Sequence, residues 1–282
     1  MRGSLYYFYF DMNEIRLTDS YTLDIVKTFE CGQCFRWNAD PDGVYHGTAG
    51  NTPAEVFEKD GSVFVRSDVP EEFWNHYFDL DSDYSSADAL FTTIPWLDEC
   101  TEYGRGIRIL RQDPWEALCS FIISQCNNIA RIKGIVERLC LMFGTPVEFG
   151  GTVHYGFPAA ERLSCVSEEE LAPLRSGYRA PYIISAARMT ASGELDLEKL
   201  KAADCETARK RLKELNGIGD KVANCVVLFG LHHMEAFPID VWIRRALSEH
   251  FPKNFNPESL GPMAGLAQQY MFYYERERAG NE

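Results

Sequence analysis

Lys221 and Asp240 are the two side chains of this sequence best suited to chemistry done in concert. A deprotonated lysine amine is a nucleophile, and a nearby carboxylate can aid its activation or face a cation that develops in the reaction. Lys221 closes the run Leu215-Asn216-Gly217-Ile218-Gly219-Asp220-Lys221, and Asp240 ends Pro238-Ile239-Asp240, nineteen residues further on. Lys221 falls in the first turn of a helix-patterned stretch, where the positive end of the helix dipole disfavours an ammonium. Each residue also has a plain reading. Asp240 precedes another helical pattern, over residues 241–247, that an aspartate would cap, and Lys221 on its own reads as a solvated lysine.

The elements around Lys221 explain why the pair points to more than that. Residues 208–215 are dense in Lys, Arg, Glu and Leu, all good helix formers. Val222, Ala223, Val226 and Val227 then mark one apolar face of a second helix. Between them, Gly217 and Gly219 let the chain end one helix and turn close to a partner. The second helix presents free backbone N–H groups at its start, where an anion binds. The pattern, near 206–231, is a helix-hairpin-helix, and the anion that suits it is a nucleic-acid phosphate.

Net charge complicates that reading. The chain of 282 residues carries −14, yet residues 1–102 hold 6 basic and 20 acidic side chains and residues 103–282 hold 22 of each. The excess thus sits in the first third. DNA affinity depends on the few cations placed at phosphates, so the bound face must be segregated from an acidic back. No apolar run approaches the ~20 residues of a membrane helix, and the aromatic run at 6–10, a strand or a loose arm ahead of Met12, is too short for a signal core. A cytoplasmic monomer with no membrane partner is expected, associated with the bacterial nucleoid through its substrate. Nine cysteines without a framework read as reduced thiols. Cys31-Gly32-Gln33-Cys34 is a C-x-x-C, a redox motif or half a zinc site, but no second pair follows at zinc-ribbon spacing. No metal site or cofactor is expected. A cation at the hairpin carbonyls is compatible with the motif, though no side-chain cluster demands one.

Residues 34–37, 44–46, 55–59 and 63–66 read as short strands separated by Asp40-Pro41-Asp42-Gly43 and by Asp60-Gly61, a hairpin signal. From about 103 the pattern turns helical. Asp113-Pro114-Trp115-Glu116 combines a cap, a first-turn proline and a capping-box glutamate; residues 129–143 run as a helix ending at Gly144; Ser167-Glu168-Glu169-Glu170 is another capping box. Further helices fall near 180–190, 241–250 and 258–275. The expected class is α+β: an antiparallel sheet domain over 1–102 that contributes a lesion-reading loop, then a helical domain over 103–282.

Cys31-Gly32-Gln33-Cys34-Phe35-Arg36-Trp37, Ser124-Gln125-Cys126-Asn127-Asn128-Ile129-Ala130-Arg131, Gly177-Tyr178-Arg179-Ala180 and the hairpin with its lysine occur in that order. Over roughly residues 20–275 the chain resembles the 8-oxoguanine DNA glycosylase/AP lyases. The resemblance implies a bifunctional enzyme that flips 8-oxoguanine out of duplex DNA, opposite cytosine, with Lys221 and Asp240 catalytic. It implies that the Gly32 carbonyl tests N7, which carries hydrogen in the lesion and a lone pair in guanine. Cys225 and Phe272 would flank the base, Gln268 would read its Watson–Crick edge, and Pro238 would join that set. Asn127, Asn128, Arg131, Tyr178 and Arg179 would fill the hole in the duplex and hold the orphaned cytosine, while Gly217 and Gly219 meet the phosphates. Taken one at a time, Cys225 and Phe272 also read as core, Gln268 and the arginines as surface, Tyr178 as packing and Gly32 as a bulge.

Two positions depart from the family. Cys126 stands where the first of three asparagines is expected, and Trp242 where histidine is frequent two residues after the aspartate. Both weaken the expected opposite-base discrimination and leave the lysine chemistry intact. Alternatives are a helix-hairpin-helix glycosylase for another damaged base, or a non-catalytic lesion-binding module; the latter would need the glycines but not Lys221 with Asp240.

Overall fold

In a computed structural model, residues 13–280 are described. The aromatic run at 6–10 lies outside them. Five strands, β1 (Glu14–Asp19), β2 (Asn38–Ala39), β3 (Tyr45–Ala49), β4 (Thr52–Lys59) and β5 (Ser62–Arg66), form one antiparallel sheet in the order β1-β5-β4-β3-β2. Asp60 and Gly61 close the β4–β5 hairpin with φ of 51° and 71°, the double left-handed turn that matches strand twist. The α+β class holds: fourteen α-helices occur among the described residues, most of them after the sheet. No helix among them is long and apolar enough to cross a membrane.

Several elements differ from the sequence expectation. Residues 34–37 are not a strand; they form an irregular segment whose side chains are largely buried, so apolar content there reflects a tertiary junction. Strand β1 and a second hairpin, Pro146–Phe149 with Thr152–Tyr155, do alternate, but each run holds only two apolar residues, too few to stand out. The helix expected near 258–275 begins only at Ala264, because Pro257–Met263 is a 3-10 segment broken at Gly261, φ +76°, and followed by Pro262. Most N-cap signals hold. Asp113 caps Pro114–Ile123 by accepting from the Glu116 backbone at 2.8 Å, Asn128 caps Ile129–Phe143, and Ser167 with Glu170 makes the full capping box.

Glu116 does not complete a capping box. Its carboxylate instead meets Arg36 at 3.0 Å, with the two side chains 9% and 8% exposed. Arg36 also donates to the carbonyls of Gly50 at 2.7 Å and Tyr155 at 2.5 Å, so one guanidinium joins the sheet, the second hairpin and the helical part. Burial pushes the Glu116 carboxyl up to about 7, against the pull of Arg36.

Two apolar cores follow. One packs Phe29, Trp37, Trp74 and Phe78 behind the sheet. The other fills the helical part and includes Tyr84, Phe91, Leu97 and Cys100 from the chain before residue 103. The helices at 85–104 therefore pack with the C-terminal helix Ala264–Gly280, Tyr270 bonding Asp88 at 3.0 Å. The two cores interleave along the chain: Cys31 and Phe35 belong to the helical one and Leu110 to the one behind the sheet.

Replacing Arg36 by Met should cost about 3–5 kcal/mol, because it strands a buried carboxylate. Thermal unfolding should show a drop on the order of 10 °C. A buried carboxyl whose folded pKa is raised makes folding less favourable as pH rises above its unfolded value. The deficit should therefore shrink as pH is lowered from about 8 to about 5, and a deficit independent of pH would remove Glu116 from the account.

Candidate active site

Lys221 lies in the first turn of Asp220–Phe229, the second helix of the hairpin, with Cys205–Leu212 as the first. Gly217 turns the chain between them at φ +79°, and a Cβ there would fall 2.4 Å from the Tyr182 ring. Only glycine fits both constraints. Gly219 is the N-cap, extended, and a Cβ on it would meet nothing within 4 Å. Its surface is open to a partner.

The ammonium of Lys221 points to the Ser124 hydroxyl at 3.2 Å and sits 5.6 Å from the centre of the Phe121 ring. Ser124 ends the neighbouring helix Pro114–Ile123, where its hydroxyl donates to the Phe121 carbonyl at 2.8 Å. Nothing in the sequence assigned Ser124 a role; its part depends on a contact 97 residues away. Asp240 serves as cap, Oδ1 accepting from the Ile243 backbone at 2.9 Å. The plain reading of Asp240 is therefore correct, and it coexists with a place in the lining of the same cleft as Lys221.

That cleft, about 660 Å³, is also lined by Gly32, Cys225, Pro238, Trp242, Gln268 and Phe272. One helical turn separates Lys221 from Cys225, so they share a face. Burial pushes the Cys225 thiol up, with Lys221 pulling the other way, so Cys225 presents a neutral apolar face. Gly32, φ +79°, lies across from Phe272: a Cβ at Gly32 would come 3.3 Å from the Phe272 ring. Gln33 pins this segment, donating to the carbonyls of Thr28 at 2.9 Å and Arg108 at 2.8 Å and accepting from the Leu110 N–H at 2.9 Å. Cys31 and Cys34 are both buried free thiols, and burial pushes Cys31 up to about 12. They fill space beside the glycine.

The cleft mouth is formed by residues 125–128. Cys126 is exposed and adopts φ +47°, a conformation asparagine takes more readily. The turn leaves the carbonyls of Gln125 and Cys126 without helical partners, and Arg179 supplies them. Its guanidinium donates to Gln125 through Nε at 2.9 Å and again through Nη2, to Cys126 at 3.3 Å and to Ser176 at 3.0 Å. Arg179 is 3% exposed, so its donors are spent on protein rather than offered outward. Arg131 is exposed, and its guanidinium donates to the Arg175 carbonyl at 3.4 Å. Tyr178 is 51% exposed and lies against Arg179, 4.4 Å from ring centre to guanidinium carbon. Asn127 bonds the Ile123 carbonyl at 3.2 Å, and Asn128 Oδ1 accepts from the Arg131 N–H at 2.9 Å.

An amine at the base of an apolar cleft, beside a hairpin open to phosphates, suits attack on a group swung out of a nucleic acid. Comparisons with known proteins agree. Residues 15–118 match the family model of the 8-oxoguanine DNA glycosylase N-terminal domain, and residues 119–259 that of the HhH-GPD superfamily base excision DNA repair proteins. A probable N-glycosylase/DNA lyase of Methanothermobacter thermautotrophicus is 33% identical over 259 residues, spanning 79% of this chain and 82% of its own. The N-glycosylase/DNA lyase of Saccharomyces cerevisiae is 32% identical over 270 residues, 84% of this chain and 71% of its own. The solved structure of the Clostridium acetobutylicum 8-oxoguanine glycosylase/lyase, bound to double-stranded DNA with cytosine opposite 8-oxoG, superposes with a TM-score of 0.86 at 33% identity, covering 96% of this chain and 100% of that one. The chain belongs to the 8-oxoguanine DNA glycosylase/AP lyase family of the helix-hairpin-helix superfamily.

Proposed function

We propose that this protein excises 8-oxoguanine from duplex DNA and then cleaves the strand at the abasic site. The observation that carries the reading is a single cleft lined by Lys221, Asp240, Gly32, Cys225, Gln268 and Phe272. A flipped purine needs two apolar faces, an edge reader and a nucleophile at the sugar, and this set supplies each kind. Cys225 and Phe272 take the faces, Gln268 the Watson–Crick edge, and the Gly32 carbonyl the hydrogen on N7. Guanine has a lone pair at N7, so its entry would oppose two acceptors in a dry site.

Lys221 attacks C1′ and the glycosidic bond breaks, the electron pair leaving with the base. Asp240 faces the positive charge that grows on the sugar, as carboxylates do in glycosidic cleavage. Loss of a proton from nitrogen opens the sugar to a Schiff base, and loss of one from C2′ expels the 3′ phosphate. Ser124 holds the amine in place before attack. The lesion's partner in this reading is cytosine, whose O2 and N3 both accept from arginine. Arg131 is the exposed donor for them, while Arg179 keeps the 125–128 turn in shape.

Borohydride should trap a covalent protein–DNA adduct on a duplex with one 8-oxoguanine, and Lys221→Gln should abolish it. Trapping at the wild-type level in that variant would move the nucleophile elsewhere.

Asp240→Asn should slow excision far more than it weakens DNA binding. As a cap alone, Asp240 is worth about 1 kcal/mol, and asparagine caps nearly as well. Single-turnover rates, binding and melting temperature on one preparation separate the roles; a rate loss no larger than the stability loss would leave Asp240 as a cap.

Excision should be fastest opposite cytosine, with each lost charged hydrogen bond costing about 1.5–3 kcal/mol. Arg131→Ala should flatten the rates across the four partner bases. Arg179→Ala should instead lower all four together and lower the melting temperature. The reverse assignment would follow if Arg179→Ala alone flattened the profile.

A further inference from the structure

The C-terminal helix sets two carboxamides side by side in the cleft wall, and the roles given so far use only one. Gln268 and Gln269 are each 3% exposed, and both line the cleft with Phe272 and Arg276. Gln269 Nε2 donates to Gln268 Oε1 at 3.3 Å. Gln269 Oε1 is itself buried and has no hydrogen-bond partner. Buried acceptors are nearly always paired, because burial strips their water and returns nothing. That oxygen is closed to solvent as it lies, so on a cleft-lining side chain it is accounted for when a turn of the carboxamide about its soft terminal torsion brings it to a donor on the ligand.

The Watson–Crick edge of 8-oxoguanine carries an acceptor at O6, a donor at N1 and a 2-amino group. One glutamine amide answers two of these: Nε2 of Gln268 donates to O6, and Oε1 accepts from N1–H. That oxygen has two lone pairs, so it can keep its bond from Gln269 as well. The 2-amino group then needs a second acceptor beside the first. We propose that Gln269 is a specificity-determining residue whose Oε1 accepts from the 2-amino group, while its Nε2 fixes which way the Gln268 amide faces. Gln269 precedes Phe272 by three residues, so it shares a helix face with the ring expected to stack on the base. The substrate class that follows is the 2-amino-6-oxopurines oxidised at C8. The inference rests on the reading of this cleft as the 8-oxoguanine pocket.

The test compares single-turnover excision of 8-oxoguanine and 8-oxohypoxanthine, which differ only in the 2-amino group, each opposite cytosine. The wild type should favour 8-oxoguanine by on the order of tenfold or more, one hydrogen bond's worth. Gln269→Met and Gln269→Ala should each reduce that ratio by about tenfold, whereas Gln268→Met should slow both substrates and hold the ratio. Because the ratio is taken on one preparation, loss of folded protein cancels. A ratio unmoved in both Gln269 variants, or one that collapses only in Gln268→Met, overturns the inference while 8-oxoguanine excision still stands. A wild type that leaves 8-oxoguanine in place overturns the parent reading and this one together.

Discussion

The carboxamide of Gln33 is out of water and answers three backbone groups at once: two carbonyls, of Thr28 and Arg108, and the N–H of Leu110. The main-chain carbonyl of Gln33 takes a fourth bond, from the Gln112 side chain at 2.8 Å. Gln112 also reaches the Phe229 carbonyl, at 3.4 Å, at the end of the helix that carries Lys221. Gly32, next in the chain, is thus tied through three side-chain and backbone steps to the element that holds the nucleophile. In the role proposed for it, the Gly32 carbonyl must be held rigidly, because a mispaired donor or acceptor counts only if neither side can move away. The rest of the site depends on that constraint.

Several site residues perform a structural task and leave one group over. Asp240 caps a helix through Oδ1, and Asn128 caps another. Arg179 carries this to its limit, with its guanidinium taken up by carbonyls left over at a helix end. Such economy explains why simple readings and functional ones both describe the same side chain. It also explains Cys126. That position is held by φ +47° and by Arg179 on its carbonyl, so backbone shape is kept while the amide an asparagine would offer is absent.

What the sequence made legible is the part written in local chemistry. Turn glycines, N-caps, the hairpin and the lysine each rest on a few adjacent residues, and each stands where expected. Residues 34–37 look like a strand because a run of aromatic and apolar side chains is the same in a strand and in a packed junction. Glu116 sits where a capping glutamate belongs, yet its partner is 80 residues away in the chain. Ser124 and Gln269 escaped for the same reason: one gains its part from Lys221, the other from an unpaired oxygen that only packing reveals. Family likeness named Gln268 and was silent on its neighbour.

The charge distribution fits this division of labour. The acidic excess lies in the first 102 residues, which carry the sheet, while the helical part is balanced overall. Acidic side chains in the helical part are often held beside a base: Lys213 meets Asp220 at 2.5 Å beside the hairpin, and Arg245 meets Glu249 at 3.0 Å. Pairing lowers the field that would draw any DNA at all, so non-specific affinity is sacrificed. On the function proposed above, binding comes from the hairpin N–H groups, exposed cations such as Arg131, and the energy of the base in its cleft. An enzyme built this way gains hold of DNA chiefly where a base fits the cleft, which couples affinity to the identity of that base rather than to the phosphates common to all sequence.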